Sequence, residues 1–178
     1  MNPLALLLPN HRASVSAFIL GIAILAALDA IRLAFGTAPV PGIIPMAVIW
    51  FCCFSLFANR RRHAGRSIGL AILPIVLSIV AKGIGTLIGV GIASFQAMIT
   101  FAEEQGVDTS DTVAFNEAVS DPGFQEAFST WIESDTQRAM EMFSQTAWPS
   151  YVGFWGVLAV FVLWFATMQR NSASTNQG

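Results

Sequence analysis

The sequence predicts an all-α, polytopic membrane helical bundle: four transmembrane helices plus an amphipathic extramembrane helix. Three observations carry this reading. First, 54% of the 178 residues are hydrophobic and only 11% are charged. An ordinary soluble domain carries about 25% charged residues, so this chain has too little polar surface to cover a water-soluble globule. Second, several apolar runs approach or exceed the roughly 20 residues that cross a bilayer core of about 30 Å. Third, charge is segregated along the chain. Ten of the eleven acids lie between Glu103 and Glu141 with a single base, Arg138, a charge of −9. The remainder holds eight bases and one acid, Asp29, a charge of +7. Such separation suits a protein with two different aqueous sides.

The start, MNPLALLLPN, lacks the basic residues of a secretory signal and is read as an interfacial segment ended by Pro9. The first span is expected over residues 17–35, followed by the turn-forming GTAPVPG. The second is expected over residues 43–57. A basic turn follows, with Arg60, Arg61, Arg62 and Arg66. The third apolar run, residues 67–99, is longer than a bilayer needs at 1.5 Å per residue, and Pro74 offers a kink site. The fourth, residues 151–168, comes after the breaker Pro149. Three regions result: a three-span membrane region at 1–100, an acidic helical insert at 101–147, and a fourth helix with a short polar tail at 148–178.

Orientation follows from the bases. With the arginine turn in the cytoplasm, Arg12 and Arg170 share its side, and six of the nine bases lie inside. Both termini are then cytoplasmic and the acidic insert is external. Trp148, Tyr151 and Trp155 mark an outer aromatic belt, and Trp164 an inner one.

Within the insert, Asp121-Pro122 reads as a helix start, an N-cap acid before proline at the first helical position. From there Phe124, Phe128, Trp131, Ile132, Ala139, Met142 and Phe143 share one face, with Asp135 interrupting the stripe. The pattern predicts one amphipathic helix of about 25 residues. A shorter helix over residues 111–119 precedes it. The insert either caps the outer mouth of the bundle or docks a protein partner. Its acidity disfavours an anionic lipid surface.

In the third span Ala81, Gly85, Gly89, Ala93 and Ala97 recur every four residues, a ridge that lets another helix approach closely. The expected partner is the shorter ridge Ala26, Ala30, Ala34 of the first span, with a homo-oligomer through the third span as the other arrangement. Ionisable groups at membrane depth are costly. Asp29 and Lys82 each lie about 22 Å from the inner end of a span at 1.5 Å per residue, so they can pair. Arg32 competes for Asp29 at i, i+3. Snorkelling of both bases, a buried pair and an ion or proton pathway are the three readings of this set.

No catalytic, cofactor-binding or metal-ligating constellation emerges. His11 and His63 each lie near arginine, outside any zinc spacing. Glu103, Glu104, Asp108 and Asp111 do not follow a calcium-loop pattern. The adjacent Cys52 and Cys53 read as small apolar filler. The arginine turn anchors topology or holds anionic headgroups, and it is too short for nucleic acid.

Residues 58–74, ANRRRHAGRSIGLAILP, resemble the signature of domain-of-unknown-function family 805. That family of small bacterial inner-membrane proteins shows an Arg-Arg-Leu-His-Asp-x-Gly-Arg-Ser run at the cytoplasmic entry to a helix, with Leu-Pro soon after. Gly65, Arg66, Ser67, Leu73 and Pro74 match. Arg60 falls on the second arginine, and His63 replaces the usual aspartate. His11-Arg12-Ala13-Ser14 with Phe18 is similar to the family's entry, without its tryptophan. The resemblance covers roughly residues 10–100 and implies a bacterial inner-membrane location but no activity. The expected function is that of a non-enzymatic accessory or scaffold protein acting through contacts in the lipid bilayer. The alternative is a small channel or transporter using the Asp29 and Lys82 region.

Overall fold

A computed structural model describes residues 7–35, 43–145 and 147–168. The first six residues, the GTAPVPG turn, the Phe143 side chain and Arg170 with the polar tail lie outside the described residues. All regular structure among the described residues is helical. In chain order it comprises α1 (Val15–Phe35), α2 (Ile43–His63), a 3-10 turn (Gly69–Ala71), α3 (Leu73–Glu104), α4 (Thr112–Ser120), α5 (Pro122–Glu133), α6 (Thr136–Gln145) and α7 (Ala147–Ala166). Among the described residues three stretches are long and apolar enough to cross a membrane: Val15–Ala34, Gly69–Glu104 and Thr136–Ala166. The chain divides into two compact units, Met1–Lys82 with Tyr151–Gly178, and Gly83–Ser150.

In the first unit, Ser14 opens α1: its Oγ accepts from Ala17 N at 3.3 Å, a capping bond to the third helical residue. α2 runs antiparallel along the length of α1. At one end Ala13 N donates to Asn59 O at 3.1 Å, and the rings of Phe18 and Phe57 meet edge-on at 5.1 Å. At the other end Arg32 Nη2 donates to Met46 Sδ at 3.1 Å. α7 closes against both: Phe57 meets Phe165 at 4.9 Å, and the Tyr151 hydroxyl donates to Ala26 O at 3.1 Å. The buried rings of Phe18, Phe57 and Phe165 form the core at the arginine end. Large apolar side chains such as Leu28, Ile31, Val80, Val160 and Leu163 face outward in this unit, while Asp29, Ser55, Arg60 and Ser78 are buried.

Two prolines start helices where the sequence suggested a kink and a break. Pro74 occupies the first turn of α3, after a separate 3-10 turn, and Pro149 the first turn of α7. A proline there lacks only an N–H that has no intrahelical partner anyway, so the helix loses nothing. Helical structure also carries through the arginines: α2 ends at His63, and Gly65 makes the turn at φ +72°. Gly65 N bonds Arg62 O and Arg66 N bonds Arg61 O, the paired bonds of a Schellman cap. α3 closes the same way at Gly106, with Gly106 N on Glu103 O and Val107 N on Ala102 O. That cap fixes the end of the overlong third run.

The first two members of the small-residue ridge, Ala81 and Gly85, pack on α7. A Cβ placed on Gly153 would lie 2.5 Å from the Ala81 carbonyl oxygen. Four residues on, in the second unit, a Cβ on Gly85 would strike the Pro149 carbonyl. Gly85, Gly89 and Ala93 are buried, whereas Ala34 of α1 is exposed. At Ala81, α7 brings a glycine of its own, which lets the two backbones approach closely.

In the second unit Phe101 is the centre. Phe124, Phe128 and Trp131 of α5 surround it at ring distances of 5.0, 5.7 and 5.4 Å. The expected helix of about 25 residues is two helices. Asp135 Oδ1 accepts from Gln137 N at 2.9 Å and Arg138 N at 3.3 Å. It therefore caps α6 and ends continuity with α5, which is why an acid interrupts the apolar stripe. Asp111 and Asp121 cap α4 and α5 in the same manner, and Pro122 takes the first helical position as expected.

Gly85→Ala and Gly153→Ala are expected to lower stability by about 1–3 kcal/mol through overpacking against backbone. Gly83→Ala and Gly91→Ala, with nothing within 4 Å of the added carbon, are expected to be neutral or stabilising. Thermal unfolding in detergent reads the contrast, and equal effects in both pairs would contradict the packing described.

Candidate functional site

Asp29 is 2% exposed and sits in the first unit away from the arginine turn. Arg32 Nε and Nη2 both approach its Oδ1 at 2.9 Å. Trp155 Nε1 donates to its Oδ2 at 2.9 Å. Of the two bases that the sequence spacing offers it, Arg32 takes the carboxylate directly. Lys82 lies half-buried one residue past Ala81 of the α3–α7 crossing. Both Asp29 oxygens are thus engaged, one within α1 and one from α7. The arrangement ties α1 to α7, and Arg32 in turn reaches Met46 of α2. Trp155 was expected in an aromatic belt, but it is 8% exposed while Trp148 is 53% exposed. An indole aimed inward from helix-facing depth needs an acceptor, and Asp29 is it.

The four arginines of the turn separate into two pairs. Arg60 is buried, and its guanidinium donates to carbonyls at and just past the end of α7: Phe165 O at 3.1 Å, Ala166 O at 3.2 Å, and Met168 O. The last four C=O groups of a helix lack i+4 donors; Phe165 O also accepts from Met168 N at 3.3 Å, and Arg60 supplies side-chain donors to the set. Arg61, also buried, donates to Ser67 O and lies 5.7 Å from the Phe165 ring centre. Arg62 and Arg66 are exposed. Asn59, one turn before Arg62, donates through Nδ2 to Leu8 O at 3.0 Å. The turn expected to anchor topology is therefore also the joint between α2, α7 and the start of the chain.

The carboxylates of the acidic unit also divide. Aspartates serve the backbone, as caps at Asp111, Asp121 and Asp135. Hydrogen bonds from the Ser110 hydroxyl and N–H hold the Asp108 carboxyl below the usual carboxylate range. Glu103 accepts from Thr109, and Glu104 accepts from Trp131 Nε1 at 2.8 Å. Glu103, Glu104, Asp108 and Asp111 thus take separate local partners. Among the described residues no three acid, histidine or cysteine side chains converge on one point. Glu117, Glu126 and Glu133 face outward. Beside Glu126 lies an open groove of about 500 Å³, lined by Phe101 and Trp131 with Gln105 and Thr130 among its other walls. Arg138 covers one face of Trp131, its guanidinium carbon 3.5 Å from the ring centre. The free thiols Cys52 and Cys53 are both buried.

No family model matches the chain, and neither a curated protein nor a solved structure matches it.

Two substitutions test the two joints. Arg60→Met is expected to cost about 2 kcal/mol, because it strands carbonyls that accept charge-assisted bonds, while Arg62→Met changes unfolding little. Asp29→Asn and Trp155→Phe are expected to be non-additive, with a coupling of about 1 kcal/mol. A double-mutant cycle in detergent measures it, and strict additivity would remove the tie.

Proposed function

We propose that the protein is a four-span inner-membrane protein of bacterial origin that presents its acidic helical unit to a basic protein partner, as an accessory or scaffold protein without enzymatic activity. The observation that carries this reading is the division among its carboxylates. Asp111, Asp121 and Asp135 are taken up by helix caps, while Glu117, Glu126 and Glu133 face water, Glu126 beside a groove lined by Trp131. An aromatic face next to a carboxylate suits a lysine or arginine side chain, through the ring and the charge together.

The span count is supported by packing. α2 meets the entry to α1 at Ala13 and α1 itself at Phe18 and Arg32, near its two ends. A bilayer crossed by α1 is then crossed by α2 as well. Adding α3 and α7 gives four. The arginines at one end of these helices favour the cytoplasm for that end, which leaves the acidic unit on the outer face. The resemblance of residues 58–74 to family 805 supports the bacterial inner-membrane assignment.

Cysteine labelling in intact cells tests the topology. Ser110→Cys is expected to react with a membrane-impermeant maleimide, and Arg62→Cys only after lysis. For the partner, crosslinking in native membranes is expected to yield a salt-sensitive adduct. The triple variant Glu117→Gln, Glu126→Gln, Glu133→Gln should lose that adduct while unfolding normally. An adduct indifferent to both salt and the triple substitution would defeat the acidic-surface reading.

A further inference from the structure

Only half of the arginine turn is used by the fold. Arg60 and Arg61 are buried on backbone carbonyls, whereas Arg62, Arg66 and Arg12 are exposed. Backbone bonds gather these three. Ala13 N on Asn59 O ties the entry to α1, with Arg12 beside it, to the last turn of α2, which carries Arg62. Arg66 N on Arg61 O folds Arg66 back onto the same turn. The unit holding them contains one acid in its sequence, Asp29, and that acid is bonded to Arg32 and Trp155. Three exposed guanidiniums therefore share one end of the bundle with no carboxylate of their own unit to balance them.

Exposed apolar residues flank them in the sequence. Leu7 and Leu8 near Arg12, and Ile68 and Leu70 near Arg66, are all exposed. Leu8 is held at this turn by the Asn59 bond. Guanidinium forks match phosphate oxygens two at a time, and exposed leucines beside them suit acyl chains. We propose that Arg12, Arg62 and Arg66 bind the phosphate of an anionic phospholipid headgroup, with Leu7, Leu8, Ile68 and Leu70 against its chains. An acidic soluble protein would satisfy the charges and leave the leucines in water. The site depends on the helices lying in a membrane and is independent of any partner at the acidic unit.

Native mass spectrometry of the purified full chain tests it, with dioleoyl phosphatidylglycerol against dioleoyl phosphatidylcholine. Wild type is expected to retain the glycerol lipid preferentially. Each of Arg12→Gln, Arg62→Gln and Arg66→Gln should weaken that retention about fivefold, as one interfacial charge does. The triple variant should abolish the preference with its unfolding midpoint in phosphatidylcholine unchanged, and Arg138→Gln should leave it intact. Should the triple variant fail to fold, Arg62→Gln alone decides. Equal retention of the two lipids by wild type would overturn the proposal. So would a preference that survives Arg62→Gln, displacement of the lipid by millimolar inorganic phosphate, or tighter capture of a polyglutamate peptide than of the lipid.

Discussion

The carbonyls that end α7 have no further turn of helix to bond to, and in an apolar surrounding each would cost several kcal/mol if left alone. Arg60 supplies their donors from the last turn of α2. Much at that end of the first unit depends on this bond set. It holds Phe165 where Phe57 meets it edge-on, and Phe57 in turn meets Phe18. It places Arg61 over the same ring. Asn59, one residue earlier, draws in the start of the chain through Leu8 and Ala13. A neutral side chain at position 60 could fill space but could not answer several carbonyls at once. Arginine is suited because it offers five N–H groups in one rigid fork.

The opposite end of α1 solves a related problem with a different group. There a carboxylate is buried, and it is balanced by a base one turn away and an indole from a second helix. Hydrogen bonds between membrane helices are individually modest, about 0.6 kcal/mol on average. The value of the Asp29 set lies in direction: Trp155 can reach that oxygen only in one rotation of α7. The same rotation puts Gly153 against the Ala81 backbone. Polar bond and small-residue contact thus select one register, where apolar packing alone would tolerate several.

Local signals were legible in the sequence, and long-range ones were not. Asp121-Pro122 announced α5 because an N-cap and a first-turn proline act on adjacent backbone groups. The apolar runs announced α1, α3 and α7 because bilayer thickness sets their length. Asp135 was visible as an interruption, yet the same carboxylate can break a stripe or cap a new helix, and only the bonds to Gln137 and Arg138 decide. Arg60 and Trp155 had no local signature. Their partners lie 105 and 126 residues away, and each residue also has an ordinary role at a membrane edge. Pro74 was misread because a proline inside an apolar run looks the same whether it kinks a helix or begins one.

The arginine turn shows why topology and packing are hard to separate in this chain. The rule that basic loops stay in the cytoplasm treats each arginine as a charge. Here two of the four are buried and serve as hydrogen-bond donors, so removing them disturbs the joint as well as the charge. Neutralising the whole turn would mix a change in insertion with a collapse of the α2–α7 contact. Arg62 and Arg66 escape this, because both are exposed and only their backbones take part in the Schellman cap. The exposed charges to which that rule would apply and the buried charges that close the fold therefore sit on different side chains of one short segment.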